Sequence, residues 1–151
     1  MNKYITLLVF IVVVMGGGIA IGTLTAPAEW YAALQKPPFN PPSWVFGPVW
    51  TVLYLMIAFV GWRVWKRTDE PLLRSLWVLQ MALNFSWSPI FFALQNPGLA
   101  LVIIICLFLT IVLFIRHAWH PDRLSAMLFV PYAAWVGFAT ILNASIFYLN
   151  W

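Results

Sequence analysis

Five long apolar stretches, parted by short clusters of charge and proline, constrain this chain more than any other feature. They run over about Tyr4–Leu24, Trp44–Trp65, Ser75–Leu94, Gly98–Ala118 and Leu124–Tyr148. A hydrocarbon core of roughly 30 Å takes about 20 helical residues to cross, so each stretch is long enough to span a bilayer. Backbone amides in lipid need partners within the protein, and a helix supplies them all within one segment. The expected fold is therefore an all-α membrane protein, a single bundle of five transmembrane helices over residues 1–151. Composition excludes the alternative: with 64% hydrophobic and 8% charged residues and a mean hydropathy of +0.91, too little polar surface exists to cover a water-soluble globule.

Lys3 precedes the first stretch in the manner of a signal peptide. The apolar run continues to about Leu24 without a polar break or a strong cleavage site, so a retained helix is expected. If the five spans are right, Lys3, Arg63, Lys66, Arg67, Arg74, Arg116 and Arg123 share one side, with only Lys36 opposite. The positive-inside rule then places the N-terminus in the cytoplasm and the C-terminus outside. The same collar accounts for the pI of 9.6. It sits at head-group level and carries no recognition motif, so membrane lipid is the expected partner and nucleic acid is not.

The connection from about 25 to 43 is the exception among short links, and loops of that length in a compact bundle are usually functional or disordered. Trp30, Tyr31, Leu34 and Phe39 argue against disorder. Pro37 through Pro42 fix φ and remove amide donors, favouring extended or turned backbone. The segment reads as a stiff aromatic lid on the external face. About Gln95-Asn96-Pro97, by contrast, reads as a tight turn.

Polar residues within spans turn away from lipid. Gln80, Asn84 and Ser88 recur every four residues and so form one stripe of the third helix. Residue chemistry leaves two readings open: hydrogen bonding between helices, or the few orienting groups of an apolar ligand pocket. Trp135, Ala139 and Asn143 share a face of the fifth helix in the same way, and Pro131 interrupts its hydrogen-bond ladder. Trp50 and Tyr54 lie one turn apart in the second; there and at Trp135 a stacking role competes with interfacial anchoring. Trp62, Trp65, Trp77, Trp119 and Trp151 read as interface anchors.

The four carboxylates, Glu29, Asp69, Glu70 and Asp122, fall in expected loops, which weakens an ion-coupled transporter. His117 and His120 read as interfacial side chains facing solvent, and no metal site is expected. Cys106, alone, forms no intrachain disulfide and reads as a small buried apolar residue. No nucleophile–base pair or phosphate-binding loop is visible. Gly16-Gly17-Gly18 and the Gly18-xxx-Gly22 spacing permit close helix approach, from within the chain or from a second copy.

Several motifs together resemble the translocator protein family, also called the tryptophan-rich sensory protein (TspO/MBR) or peripheral-type benzodiazepine receptor family. They are Trp30-Tyr31-xx-Leu34-x-Lys36-Pro37, Pro41-Pro42-x-Trp44-x-Phe46 with Trp50, Leu83-Asn84-xx-Trp87-Ser88-Pro89-Ile90-Phe91-Phe92, and Pro131-Tyr132-xx-Trp135-xx-Phe138-Ala139-Thr140-x-Leu142-Asn143. The resemblance implies a five-helix bundle, often a homodimer, in a bacterial-type cell membrane. It also implies a pocket beneath the first external loop for porphyrins and other flat hydrophobic molecules. The family's pocket positions fall on Tyr31, Trp50, Asn84, Ser88, Trp135 and Ala139. The function implied is a tetrapyrrole-binding receptor or sensor in which Trp50 and Trp135 stack on the ligand while Asn84 and Ser88 orient its polar edge. A porphyrin or haem-type tetrapyrrole is the expected ligand and no cofactor is required. Two alternatives stand beside it: a light-dependent porphyrin-degrading enzyme, with Trp50 and Trp135 as its candidate catalytic residues, and a porphyrin or lipid transporter.

Two departures qualify the match. Phe39 stands where the family commonly carries tryptophan, so ring contact is kept and an indole donor is lost. The proposed cholesterol motif needs a basic residue after its tyrosine, yet no Lys or Arg follows Arg123, so sterol binding is not expected.

Overall fold

Residues 2–27 and 29–151 are described by the computed structural model; Met1 and Ala28, the latter in the first long loop, lie outside the described residues. The helices are α1 (Lys3–Leu24), α2 (Glu29–Ala33), α3 (Ser43–Trp65), α4 (Pro71–Ser88), α5 (Pro97–Ala118) and α6 (Arg123–Asn150). All but α2 are long and apolar enough to cross a membrane, α4 being extended by the turn Pro89–Ala93. The chain is thus an integral membrane protein of five spanning helices.

Capping explains where the helices begin. Asn96 Oδ1 accepts from Leu99 N at 3.0 Å and Asp122 Oδ1 accepts from Ser125 N at 3.4 Å, each supplying a partner for a first-turn amide. Pro71 and Pro97 occupy first-turn positions, where the missing N–H is not needed. The third span therefore starts at Pro71, four residues before the expected Ser75, and Arg74 reaches back to the carbonyls of Val64, Trp65 and Arg67.

Its other end departs further from a plain helix. Pro89 has no amide for the preceding turn, and the chain widens into a π-helical turn over Pro89–Ala93, with Leu94 N donating to Pro89 O at 2.9 Å. Gln95 then adopts φ 51°, reversing the chain into α5 through the short turn expected there.

Around the bundle the order is α1, α3, α6, α5, α4, with α4 returning to α1. Alternate faces of α5 show how the core is chosen: Ala100, Ile104, Leu107, Ile111, Phe114 and Ala118 are buried at helical spacing. Cys106 falls off that stripe and is exposed on the outer face, which corrects its expected burial. Trp77 is the opposite correction. It is 6% exposed, its Nε1 donates to Ile57 O at 3.0 Å, and it fills a slot left by Gly61, where a Cβ would lie 2.5 Å from the indole. His117 and His120 do face outward, with His117 Nε2 3.5 Å from Glu70 Oε2.

Helix α1 is peripheral, with Val14 its fully buried residue. Gly17 and Gly18 take the rings of Phe85 and Tyr54 from the same chain; Cβ atoms there would sit 2.7 and 2.5 Å from them. Among the described residues, nothing lies within 4 Å of where a Cβ would stand on Gly16 or Gly22.

Candidate functional site

The long loop is built by a short helix that apolar spacing in the sequence did not announce. Trp30 and Tyr31, on the single turn α2, set their rings on the π-turn: Trp30 lies 6.0 Å from Phe91, and Tyr31 lies 6.2 Å from Phe91 and 5.4 Å from Phe92. Trp30 also reaches Trp151 at 6.5 Å. Beneath them Phe91, Ala100, Leu142 and Ile146 form a separate buried cluster with Leu34 and Phe138 at its edge. Burial pushes the Tyr31 hydroxyl above its ordinary pKa of 10.0, with an opposing pull from the Asn40 side chain. After α2 the backbone runs through Pro37–Pro42 without helix, as the prolines require. Phe39 keeps its ring contact, 6.2 Å from Phe138.

Polar groups latch this loop. Lys36 Nζ donates to the carbonyls of Tyr31 at 2.7 Å and Leu34 at 3.1 Å and lies 4.5 Å from the Tyr31 ring, so the cation covers the negative end of α2. Gln35 N donates to Asn150 Oδ1 at 3.0 Å while Asn150 Nδ2 donates to Gln35 O at 2.9 Å. One side-chain amide thus ties the loop to the end of α6. At the loop's root, Thr25 Oγ1 and Ser88 Oγ are 2.6 Å apart.

Within the bundle the stripe on α4 faces inward as its spacing requires, Gln80 and Asn84 being buried. Tyr54 Oη donates to Asn84 Oδ1 at 2.9 Å, Asn84 Nδ2 donates to Tyr132 Oη at 2.8 Å, and Tyr132 Oη donates to Gln80 Oε1 at 2.8 Å. The chain of bonds joins α3, α4 and α6. Among the described residues it leaves Gln80 Nε2 without a protein partner. Asn84 keeps one of its two amide hydrogens uncommitted.

Trp50 lies 5.2 Å from Tyr54 and 6.5 Å from Tyr132, and so sits against this network. Trp135, one turn beyond Tyr132, packs on Phe46 at 5.8 Å and Phe138 at 5.6 Å. Ala139 packs at the edge of the core. Asn143 stands apart from the network. Its Oδ1 accepts from Trp87 Nε1 at 3.0 Å and its Nδ2 donates to Pro97 O at 2.9 Å, joining α4, α5 and α6.

Geometry therefore gathers Trp50 and Asn84 through Tyr54 and Tyr132, puts Ser88 under the loop root, Tyr31 in the loop, and Trp135 on the α3–α6 seam. Tyr132 and Phe46 stand in the sequence motifs without a site role assigned to them, and Tyr54 enters from sequence only as an aromatic one turn from Trp50. A groove of about 590 Å³ follows that seam, lined by Pro48, Val49, Val52, Leu53, Met56, Pro131, Ala134, Trp135 and Phe138.

A family model described as the TspO/MBR family matches residues 9–149. The chain is similar to the tryptophan-rich protein TspO of Archaeoglobus fulgidus, 40% identical over 144 residues covering 93% of this chain and 94% of that protein. It is similar also to the tryptophan-rich sensory protein of Cereibacter sphaeroides, 34% identical over 136 residues, 90% of this chain and 86% of that one. The translocator protein of Homo sapiens is 40% identical over 121 residues, 76% of this chain and 71% of its own length.

Proposed function

The chain belongs to the TspO/MBR family, and from that premise we propose that it is a membrane receptor or sensor for a flat apolar ligand of the tetrapyrrole class. The observation that carries the reading is that two tryptophans stand on adjoining helices, Trp50 packed on Tyr54, whose hydroxyl bonds the buried Asn84, and Trp135 packed on Phe138, which the loop ring of Phe39 also touches. A planar macrocycle gains most from ring faces, and the second N–H of Asn84 with the Ser88 hydroxyl gives its polar edge a fixed orientation. Tyr31 closes the site from above and Ala139 leaves room beside Trp135. The ligand is bound rather than supplied as a cofactor.

Two broader features belong to the same proposal. The basic collar around Arg63, Lys66, Arg67 and Arg74 favours a cytoplasmic N-terminus, with the loop outside. Helix α1 presents Leu8, Val12 and Ile19 outward beside the open Gly16 and Gly22, a face that suits pairing with a second copy.

Titrating purified protein with a panel of tetrapyrroles, read by tryptophan quenching, tests the reading. Ring stacking contributes about 0.5–1.5 kcal/mol beyond area burial, so Trp50→Ala and Trp135→Ala are each expected to weaken binding by roughly 3- to 10-fold or more, with Phe replacements milder. Unchanged affinity in both Ala variants removes these residues from the site. Illumination of the complexes separates receptor from enzyme: porphyrin loss equal in wild type, Trp50→Phe, Trp135→Phe and a detergent blank is ordinary photobleaching.

A further inference from the structure

The candidate site adjoins two boundaries, and they are closed by different forces. On the loop side Gln35 and Asn150 exchange two hydrogen bonds, Lys36 binds the carbonyl end of α2, and Trp30 and Tyr31 rest on the π-turn. Toward the lipid, α3 and α6 flank a groove of about 590 Å³ whose lining carries no charged or hydrogen-bonding side chain except the Trp135 indole. Among the described residues, the direct polar contacts between α3 and the α6 segment lie at the far end. There Arg63 Nη2 meets Asp122 Oδ1 at 2.7 Å and Arg63 Nε donates to Ser125 Oγ at 3.3 Å.

Both groove walls contain a proline inside a helix, Pro48 in α3 and Pro131 in α6. Neither can donate to the carbonyl four residues earlier, so each helix lacks one ladder bond beside the groove and bends there more readily. Parting two apolar helix faces in a bilayer loses little, because lipid tails replace the contacts. Parting the loop from α4 and α6 requires the breaking of hydrogen bonds and ring contacts together.

The geometry points to the α3–α6 seam as the ligand's way in: a flat, lipid-dissolved molecule reaches Trp135 sideways from the bilayer while the Arg63–Asp122 pair holds the far ends of the two helices together as a pivot. The loop is then a fixed cover rather than a gate. This rests on the reading that Trp135 belongs to the ligand site.

Stopped-flow binding of protoporphyrin IX to the full chain in phosphatidylcholine vesicles tests it. Val52 and Ala134 line the groove, Val52 on its exposed rim. Val52→Phe and Ala134→Phe are expected to slow association and dissociation alike, each by about tenfold, the equivalent of ~1.4 kcal/mol on the barrier, with Kd unchanged. Val52→Ala widens the mouth and is expected to speed both. Asn150→Ala, which unlatches the loop, is expected to leave association unchanged. Unaltered rates in the groove variants, or faster association in Asn150→Ala, overturn the route. Slower association with an equal loss of affinity places the ligand in the groove itself and also overturns it. Saturable binding that is indifferent to Trp135→Ala defeats the site reading instead, as does the absence of saturable wild-type binding, and the route falls with it.

Discussion

At the Arg63 end of the bundle α3 meets the start of α6 through charge, whereas at the Trp30 end the loop meets α4 and α6 through rings and amides. Asp122 is 1% exposed in its side chain and receives Arg63 at 2.7 Å, Arg67 at 3.4 Å and Ser125 Oγ at 2.7 Å. Burial by itself pushes its pKa up, but the hydrogen bonds from Arg63 and Ser125 outweigh that and hold it below the ordinary carboxylate value. The carboxylate stays ionised and fully partnered. At the opposite end the bonds that tie the loop to α6 are neutral amide contacts on exposed chain, the Lys36 ammonium bonds only carbonyls of the loop itself, and apolar ring area supplies the rest. One end is specified by a charge that leaves little room for rearrangement; the other is assembled from many contacts of modest individual strength.

The largest test of this contrast is Asp122→Asn. Asparagine still caps α6, so the loss reports the charge, and uncoupling the buried Asp122 from its partly exposed arginine partners is expected to destabilise the protein by up to roughly 3 kcal/mol. Unfolding in a graded detergent titration measures it. Because the folded pKa is depressed, the contribution is present above the ordinary carboxylate value of 3.8 and is lost as pH falls through the lower folded value. Wild-type stability should therefore decline on acidification below about pH 4, and the variant should decline less. Identical acid profiles break the comparison.

A smaller effect is expected midway along the bundle. Tyr132→Phe removes the hydroxyl shared by Asn84 and Gln80 and strands both buried amides, at a cost of about 1–3 kcal/mol. Gln80→Leu strands the Tyr132 hydrogen but also removes the unpartnered Nε2, so it is expected to cost less. The reverse order in the same unfolding assay refutes the assigned direction of the network.

Smallest of all is Asn150→Ala. Its two bonds to Gln35 are exposed, so water replaces them and each contributes no more than about 0.5 kcal/mol, and the rings of Trp30 and Tyr31 remain in place. Amide exchange over residues 29–43 should rise while the unfolding midpoint barely moves. Global destabilisation matching that of Asp122→Asn erases the distinction between the two ends.

Hydropathy and proline placement alone settle that this chain is a five-helix membrane bundle, with breaks expected near 25–43, 66–74, 95–97 and 119–123, although they do not reveal that the third helix begins as early as Pro71. They settle too that the α4 stripe turns inward, because polar side chains facing lipid lack partners. Tertiary structure decided the rest. Trp77 resembles the interfacial tryptophans in sequence, and only Gly61 on another helix creates the slot that buries it. Asp122 reads as a loop carboxylate until α3 brings Arg63 to it across 59 positions of chain. Asn84 and Asn143 carry the same amide at comparable helical spacing, yet Asn84 joins two tyrosines whereas Asn143 pins Trp87 to the start of α5. Periodicity reports which face of a helix leaves the lipid, since that is set by a local balance of solvation; which partner waits there depends on helix order and rotation, and those emerge only when the whole bundle packs.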